Sequence, residues 1–231
     1  MFFRNDSSPI SSYTADIMSG LMIIFLFISI SYMLEIKQEK QNIENIAKQF
    51  ETTKYSMFYD LQKEFNEDLK YWNAEIDKET LSVRFNEPEI FFKVGQSDLN
   101  DNFKKILHDF FPRYIKLLYK YNDNIEEIRI EGHTSSEWNN TRGKLTLESY
   151  FKNMKLSQDR TRSVLEYVME LHSMKKYRMF LIDKVTANGL SYSQRIIKNG
   201  KEDYKKSRRV EFRIKTTAEK HIDQILNGDT I

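Results

Sequence analysis

The stretch YTADIMSGLMIIFLFISISYML, residues 13–34, decides the architecture of the first part of this chain. A helix of this length, at about 1.5 Å rise per residue, crosses a hydrocarbon core of roughly 30 Å. Residues 17–34 carry no charge, and the single acid of the stretch, Asp16, stands near its start. A carboxylate in a membrane span costs about 2.5 kcal/mol or more unless it faces a partner or water. The sequence therefore predicts one transmembrane helix with a functional acid.

A cleaved signal peptide and a simple helix cap are the two alternatives for this stretch. A signal peptide has a basic n-region and a small-residue cleavage site. Here one arginine faces one aspartate in the first ten residues, and residues 29–33 match such a site poorly. In the second alternative, Asp16 only caps the helix at the membrane interface, since Ser11, Ser12 and Asp16 all suit a helix start.

The run from Ala15 to Met22 resembles the membrane segment of MotB-type B subunits of ion-driven motors. That family combines a tyrosine, a small residue, the ion-carrying aspartate, a pair of small residues and several methionines. Tyr13 is displaced by one position from the usual place, and Gly20 stands where alanine is common. The resemblance implies that Asp16 picks up and releases the driving ion, which is H⁺ or Na⁺, and that no other cofactor is needed.

Length and composition leave room for one modest domain beside this span. The chain has 231 residues, no cysteine, and a net charge of +2 from 36 basic and 34 acidic residues. So balanced a charge gives no field that would attract nucleic acid. We predict a short cytoplasmic tail (1–12), a transmembrane helix (13–34), a helical connector (35–75), a C-terminal domain (76–216) and a C-terminal tail (217–231).

The orientation of the span is where charge and resemblance disagree. Lys37, Lys40 and Lys48 follow the span, whereas only Arg4 and the amino terminus precede it. Because cytoplasmic flanks are normally the basic ones, the charge bias favours a cytoplasmic C-terminal side. The resemblance implies the opposite: a single-pass protein of the bacterial inner membrane with a cytoplasmic N-terminus and a periplasmic C-terminal domain.

The connector reads as one charged helix from Glu35 to Trp72, without Pro or Gly. Apolar residues recur every seven positions, at Ile36, Ile43, Phe50 and Met57. The stripe then shifts to Leu61, Phe65 and Leu69, as a stutter in a coiled coil makes it do. Two predictions compete: a parallel dimeric coiled coil, which the resemblance favours because the family uses two B subunits, and a solvated helix that packs on its own domain.

The C-terminal part alternates strand and helix patterns. Period-two alternation predicts strands at 81–85, 89–93, 125–131, around Val185 and at 210–214. Helical stripes predict one helix over 99–121, which Pro112 should kink or divide, and another that opens at Leu156 with Ser157 as its N-cap. Alternating helices and strands are typical of a two-layer α/β sandwich with helices on one sheet.

Three stretches of this part resemble the OmpA/MotB-type peptidoglycan-binding domain. They are Ile130-Glu131-Gly132-His133-Thr134, Asn153 to Arg160 with Ser163-Val164, and Arg208-Arg209-Val210-Glu211-Phe212. Their order and spacing cover roughly residues 80–215. The resemblance therefore implies an OmpA-like fold that binds peptidoglycan.

In that family, a helix-start arginine and an aspartate after the His-Thr pair hold the diaminopimelate of the cell-wall peptide. Arg160 matches the arginine, and its predicted place in the first helical turn suits a carboxylate-binding site. Asn153 and Thr134 lie in the matching stretches. Ser135 replaces the aspartate, so either Glu137 substitutes for it or the ligand differs. The simpler alternative for Arg160 is a surface arginine paired with its neighbour Asp159.

His133 is predicted to anchor its loop, because no nucleophile or metal partner stands at a suitable spacing. The basic cluster Lys205, Lys206, Arg208 and Arg209 has acids interleaved, so it is predicted to be a solvated strand entry and not a nucleic-acid patch.

Together these features predict the B subunit of an ion-driven rotary motor and no enzyme. The resemblance implies a homodimer that assembles with a MotA/ZorA-like A subunit, five copies to two, and binds peptidoglycan. The short tail and Ser135 favour the phage-defence (Zorya) users of this architecture over flagellar stators. A static anchor between membrane and cell wall, with Asp16 only a cap, is the third hypothesis.

Overall fold

A computed structural model of the chain describes residues 9–86, 91–92, 96–137 and 146–218, with side chains from residue 13 onward. It begins with one long helix, α1 (Pro9–Leu69). The chain divides into two compact units, Met1–Lys48 and Gln49–Ile231. The last six turns or so of α1 therefore belong to the second unit.

Residues 17–34 of α1, within the first unit, carry apolar side chains on all faces of the helix. An 18-residue window of this helix reaches a mean hydropathy of 2.3, and its side chains are exposed in the chain. Ser19 and Ser29 each donate their hydroxyl to the carbonyl four residues earlier, at 2.8 Å. These hydroxyls are thus satisfied without water, as a membrane interior requires. The helix is long and apolar enough to cross a membrane, as the sequence predicted.

The second unit is built on a five-stranded sheet of order β1-β2-β7-β3-β4. All neighbours run antiparallel except β3 and β4, which are parallel and are joined by helices. A separate hairpin consists of β5 and β6. The strands are β1 (Ala74–Asp77), β2 (Ser82–Asn86), β3 (Ile125–His133), β4 (Val185–Gly189), β5 (Ile197–Lys198), β6 (Lys201–Glu202) and β7 (Arg209–Thr216).

The described residues of this unit also form four further α-helices. They are α2 (Asp101–Leu118), α3 (Leu147–Glu170), α4 (Arg178–Lys184) and α5 (Tyr204–Ser207), with 3-10 turns at Tyr119–Asn124 and His172–Tyr177. Asn100 caps α2 by accepting from the amide of Phe103, which satisfies one of the free N–H groups at that helix start. The two-layer α/β sandwich that the sequence predicted is confirmed.

One face of the sheet forms the core because the central strands alternate apolar and charged residues. Phe85 of β2 and Phe212 of β7 meet Phe110 of α2, with ring centroids 5.1 Å apart in each case. Each such side chain, fully buried, contributes about 1.5–3 kcal/mol through the apolar surface it removes from water. The opposite face carries the charged residues of the same strands.

The connector behaves differently in its two halves. Ile36 and Ile43 are 47% and 40% exposed, whereas Met57 is fully buried with Leu61 and Phe65 in the core of the second unit. The shift of the apolar stripe therefore marks the point at which α1 begins to pack on its own domain. Only the stretch before Gln49 keeps a heptad stripe free for a coiled coil.

Helix α3 begins earlier than the sequence predicted. Its N-cap is Thr146, whose hydroxyl accepts from the Ser149 amide at 3.1 Å, while the Thr146 amide donates to the Ser149 hydroxyl. The prediction that Ser157 caps the helix is wrong, because a capping box that begins eleven residues earlier in the chain supplies the start. Arg160 consequently lies deep inside the helix and not in its first turn.

Two other expectations need correction. The prediction that Pro112 divides α2 is wrong, because buried side chains on both sides of it, including Phe111 and Tyr114, hold the continuous helix to the core, whereas a kink at Pro112 stays a prediction. Strand β1 was not predicted. The strand expected at 89–93 lies mostly outside the described residues; within it, Phe92 forms an isolated antiparallel bridge with Leu99.

Candidate functional site

Asp16 lies inside helix α1, about two turns after Pro9. Its side chain is exposed, as are the neighbouring Tyr13 and Ile17. A residue inside a helix has non-terminal backbone geometry, so Asp16 does not act as the N-cap that the static-anchor hypothesis needs. The acid instead projects from the apolar helix toward whatever surrounds that helix in a membrane.

The predicted peptidoglycan residues lie around the ends of β3 and β4, where α3 packs very closely. A Cβ on Gly132 would come within 2.9 Å of the Ser157 carbonyl oxygen, so only glycine lets α3 approach. The Thr134 amide donates to the Ser191 carbonyl at 2.8 Å, and the Ser191 amide donates to the Ser157 hydroxyl at 3.0 Å. These bonds fix the loop after β3 against the middle of α3.

Arg160 is held in place by the segment that precedes α2. Its guanidinium lies over the Phe92 ring, 4.8 Å from the centroid, and its Nε donates to the Gln96 carbonyl at 3.0 Å. Only 7% of the residue is exposed. This packing restrains the planar guanidinium, and a restrained guanidinium suits the recognition of a carboxylate.

The loop after β3 brings Ser135 and Glu137 to Arg208. One nitrogen of Arg208, Nη1, donates to the Ser135 hydroxyl at 3.3 Å and to the Glu137 carboxylate at 2.9 Å. The two oxygen atoms are therefore close neighbours. A second carboxylate, that of Glu202 on β6, accepts from the amide and hydroxyl of Ser136. Two carboxylates, Glu137 in the loop and Glu202 bonded to it from β6, thus lie close to the neutral Ser135.

The other two predicted residues are buried in the same region. Asn153 lies within α3 and donates its side-chain amide to the Ser149 carbonyl at 3.1 Å. The Thr134 hydroxyl is buried and has no hydrogen-bond partner among the described residues. An unpartnered buried hydroxyl costs about 1–3 kcal/mol, so Thr134 has a donor available for a ligand or water.

A buried charged network on the polar face of the sheet adjoins this loop. Glu211 of β7 accepts from Ser82, from Arg84 at 2.8 Å and from Arg209. Burial opposes the ionisation of Glu211, but Arg209, His133 and Arg84 outweigh it and hold the pKa of this carboxyl below its usual range. Buried ionic groups are tolerated only when they are paired in this way.

His133 ends β3 inside this network. Burial, together with the nearby Arg209 guanidinium, lowers the pKa of His133 below its usual value, against the pull of Glu131 and Glu211. The imidazole is therefore neutral at physiological pH. The expectation that Arg208 and Arg209 are solvated at a strand entry is wrong for Arg209, which is buried and ion-paired.

Sequence reasoning missed Arg84, Arg208 and Glu202. A signal for Arg84 was present, because the run Ser82-Val83-Arg84-Phe85 alternates as Arg209-Val210-Glu211-Phe212 does. Two such strands side by side bring their polar residues onto one face. Nothing in the sequence indicates that Glu202, from a short hairpin, reaches the loop after β3.

The described residues define a class of protein in which a long apolar helix precedes an α/β sandwich with charged side chains in the loop after β3. The OmpA family model matches residues 91–209. The curated Zorya protein ZorB of Escherichia coli is 45% identical over 213 residues, which are 92% of this chain and 90% of that protein. The chain belongs to the OmpA family and is a homologue of ZorB.

The fold is also similar to those of solved structures. A MotB-like protein of Desulfovibrio vulgaris has a TM-score of 0.50 and 18% identity, and the match covers 71% of this chain and 95% of that one. The cell wall anchor of the type VI secretion system of Pseudomonas aeruginosa gives a TM-score of 0.46 at 21% identity, over 68% of this chain and 96% of that one.

Proposed function

We propose that this chain is the stator-type B subunit of an ion-driven rotary motor of the bacterial inner membrane, anchored to peptidoglycan and used in anti-phage defence. The observation that carries the proposal is the 45% identity to Zorya protein ZorB over 92% of the chain. A match of that length includes most of the membrane helix and most of the α/β domain. This supports the same order of membrane helix and α/β domain in both proteins.

Asp16 is the residue that couples ion movement to rotation in this proposal. Two copies of the chain place their α1 helices in a ring of five A-type subunits, with each N-terminus cytoplasmic. An A subunit supplies the polar or hydrated surroundings that an acid in a membrane helix needs. Binding of H⁺ or Na⁺ neutralises Asp16 and lets the helix face an apolar surface, and release restores the charge. Alternation between these states steps the ring.

The α/β domain holds the complex to the cell wall from the periplasm. The Arg160 guanidinium binds a carboxylate of the wall peptide, with Asn153 and Thr134 lining the same region. Ser135 cannot neutralise an ammonium group, so Glu137, which Arg208 keeps beside Ser135, supplies the negative charge. A bound wall peptide fixes the B subunits while the A ring turns around them.

The decisive experiment is complementation in the native host. Deletion of the gene should raise the plating efficiency of phages, and the wild-type chain should restore protection. Purification of the tagged chain in mild detergent should bring down an A-type subunit at five copies to two, measured by native mass. Recovery of a partner-free monomer would contradict the motor assignment. Restored swimming without any effect on phages would instead assign the chain to a flagellar stator.

A further inference from the structure

Three potential metal ligands meet on the polar face of the sheet, outside the peptidoglycan residues. Glu131 and His133 stand two apart on β3 and so point to the same face. Glu211 is directly opposite Glu131 in the antiparallel register of β3 and β7. Each of the three residues is only 3% exposed. One ligand atom from each lies within 4.8 Å of the others.

His133 lacks the partner that its burial calls for. Among the described residues, neither ring nitrogen of His133 has a hydrogen bond. Its Nε2 points into the cluster, 3.5 Å from Glu131 Oε2 and 4.0 Å from Glu211 Oε1. Buried polar atoms are almost always bonded, and an exception needs a physical cause. A cation between the three side chains supplies one.

We propose that Glu131, His133 and Glu211 bind a divalent transition-metal cation, of which Zn²⁺ is the best fit. Zn²⁺ takes imidazole nitrogen and carboxylate oxygen at about 2.0–2.2 Å in tetrahedral sites. Small side-chain movements would bring the three ligand atoms, now within 4.8 Å of one another, to the distances of a coordinated site. An imidazole ligand disfavours Mg²⁺ and Ca²⁺, which prefer oxygen alone. A water molecule completes the fourth position.

The charges of the surrounding network have the sign that such a cation needs. Among the ion pairs of this network, four carboxylates, Glu75, Asp77, Glu131 and Glu211, stand against two guanidiniums, Arg84 and Arg209. Glu131 and Glu211 also face each other as like charges on adjacent strands, an arrangement that is destabilising unless a cation lies between them.

The two arginines have other acceptors to use when Glu211 binds the cation. Arg209 Nη1 donates to the carbonyl oxygens of Gln194 and Ser207, at 3.2 and 3.1 Å. Arg84 donates to Glu75 and to Asp77, at 3.1 Å each. Each of the two arginines therefore keeps other hydrogen-bond acceptors when Glu211 binds the cation. The bound metal ties β3 to β7 directly below the loop that carries Ser135 and Glu137.

The test is zinc binding by the full chain in mild detergent after treatment with a chelator. Isothermal titration with Zn²⁺ should give one tight equivalent, and Zn²⁺ should raise the melting temperature where Mg²⁺ does not. His133→Gln should weaken binding at least tenfold and remove the melting shift. Glu75→Gln is the matched control, since it removes a network carboxylate that is not a ligand. His172→Gln controls for adventitious binding at an exposed histidine.

Two results overturn the proposal: no tight equivalent in the wild type, or wild-type binding by His133→Gln. Loss of the tight zinc equivalent in His172→Gln alone also overturns the proposal, because the zinc then binds at the exposed His172. If His133→Gln does not fold, as judged by circular dichroism, Glu131→Gln replaces it. Because Glu131→Gln keeps the side-chain volume, at least tenfold weaker zinc binding is then the required outcome, and unchanged binding overturns the site.

Discussion

Gly189 lies against Gln158 so closely that a β-carbon on Gly189 would be 2.3 Å from the Gln158 backbone nitrogen. The contact joins the end of β4 to the middle of α3, and a backbone nitrogen inside a helix cannot swing aside as the tip of a side chain can. This approach sets the distance between helix and sheet beside the loop after β3. The geometry of the candidate peptidoglycan site thus depends on a residue without a side chain.

Gly189→Ala should lower the free energy of unfolding by about 1–3 kcal/mol or more, because the helix must move away from the sheet. Chemical denaturation of the full chain in detergent measures it. Gly200→Asn is the control: Gly200 has a φ of +74° with nothing within 4 Å of an added Cβ, and asparagine tolerates that conformation. Equal stability of Gly189→Ala and wild type would show that the close approach of helix and sheet does not contribute to the free energy of unfolding.

The connector offers a second prediction, since its two halves differ in burial. Met57→Ala should destabilise the domain by about 2–5 kcal/mol, because it leaves a cavity in a packed core. Ile43→Ala should leave the domain's melting temperature unchanged and weaken self-association, because the exposed Ile43 belongs to the heptad stripe. Melting curves and chemical cross-linking separate the two effects. Full cross-linking in Ile43→Ala would exclude a coiled coil that depends on this stripe.

A third prediction concerns the turn between β1 and β2. Burial raises the pKa of Asp77, but the amides of Thr80 and Glu79 and the charge of Arg84 outweigh it, so the pKa of this carboxyl lies below its usual value. A carboxyl with a depressed pKa in the folded state stabilises the fold above its unfolded pKa, and this contribution disappears as the pH falls through the folded value. Stability should therefore drop below about pH 4.

Asp77→Asn should reduce the loss of stability at low pH. The unfolding free energies of wild type and variant should differ less at about pH 3 than at about pH 6, because the Asp77 carboxyl becomes protonated between these values. Denaturant titrations at the two pH values measure it. Asp183→Asn, at an exposed position on α4, is the control and should follow the wild type. A gap that stays constant with pH would mean that the Asp77 charge is not what stabilises this turn.

Local patterns predicted the elements of the fold, and distant contacts decided what those patterns missed. The alternation of Val210 and Phe212 was enough to predict β7 because it records burial of one face. The β5–β6 hairpin was not predicted, although its Asn199-Gly200 pair is a hairpin signal and both residues have positive φ. Strand β1 gave no such signal, since its four residues are all half-buried.

The candidate sites show the same contrast between local sequence patterns and contacts of distant residues. The resemblance identified Asp16 and Arg160 by position along the chain, but the surroundings of Arg160 come from Phe92 and Gln96, more than sixty residues away. The start of α3 was misplaced because Thr146 caps it through Ser149, and serine at that position is less typical of a capping box than glutamate. The proximity of Glu211 and His133 could not be predicted from their spacing along the chain, because it results from the pairing of β3 with β7.

Asp16→Asn should abolish phage protection and leave expression, membrane insertion and co-purification of the A subunit intact. The change keeps the size of the side chain and removes only its capacity to bind and release an ion. Plating efficiency measures protection, and blotting of the membrane fraction checks that the variant is present. Tyr13→Phe, one turn earlier on the same helix, is the control and should protect normally. Full protection by Asp16→Asn would contradict the ion-carrying role of Asp16.

Arg160→Ala should weaken retention of the full chain on purified peptidoglycan by about 10- to 100-fold, the equivalent of a charge-assisted hydrogen bond worth roughly 1.5–3 kcal/mol. Lys205→Ala, at an exposed position on α5, is the matched control and should bind as the wild type does. Because Arg160 also packs on Phe92, Arg160→Lys separates the two roles: lysine keeps the charge and the stem but lacks the planar fork, so it should bind weakly while it melts near the wild-type temperature. Equal retention of the wild type and Arg160→Ala would remove Arg160 from the site, and no retention of any form would remove the anchoring function itself.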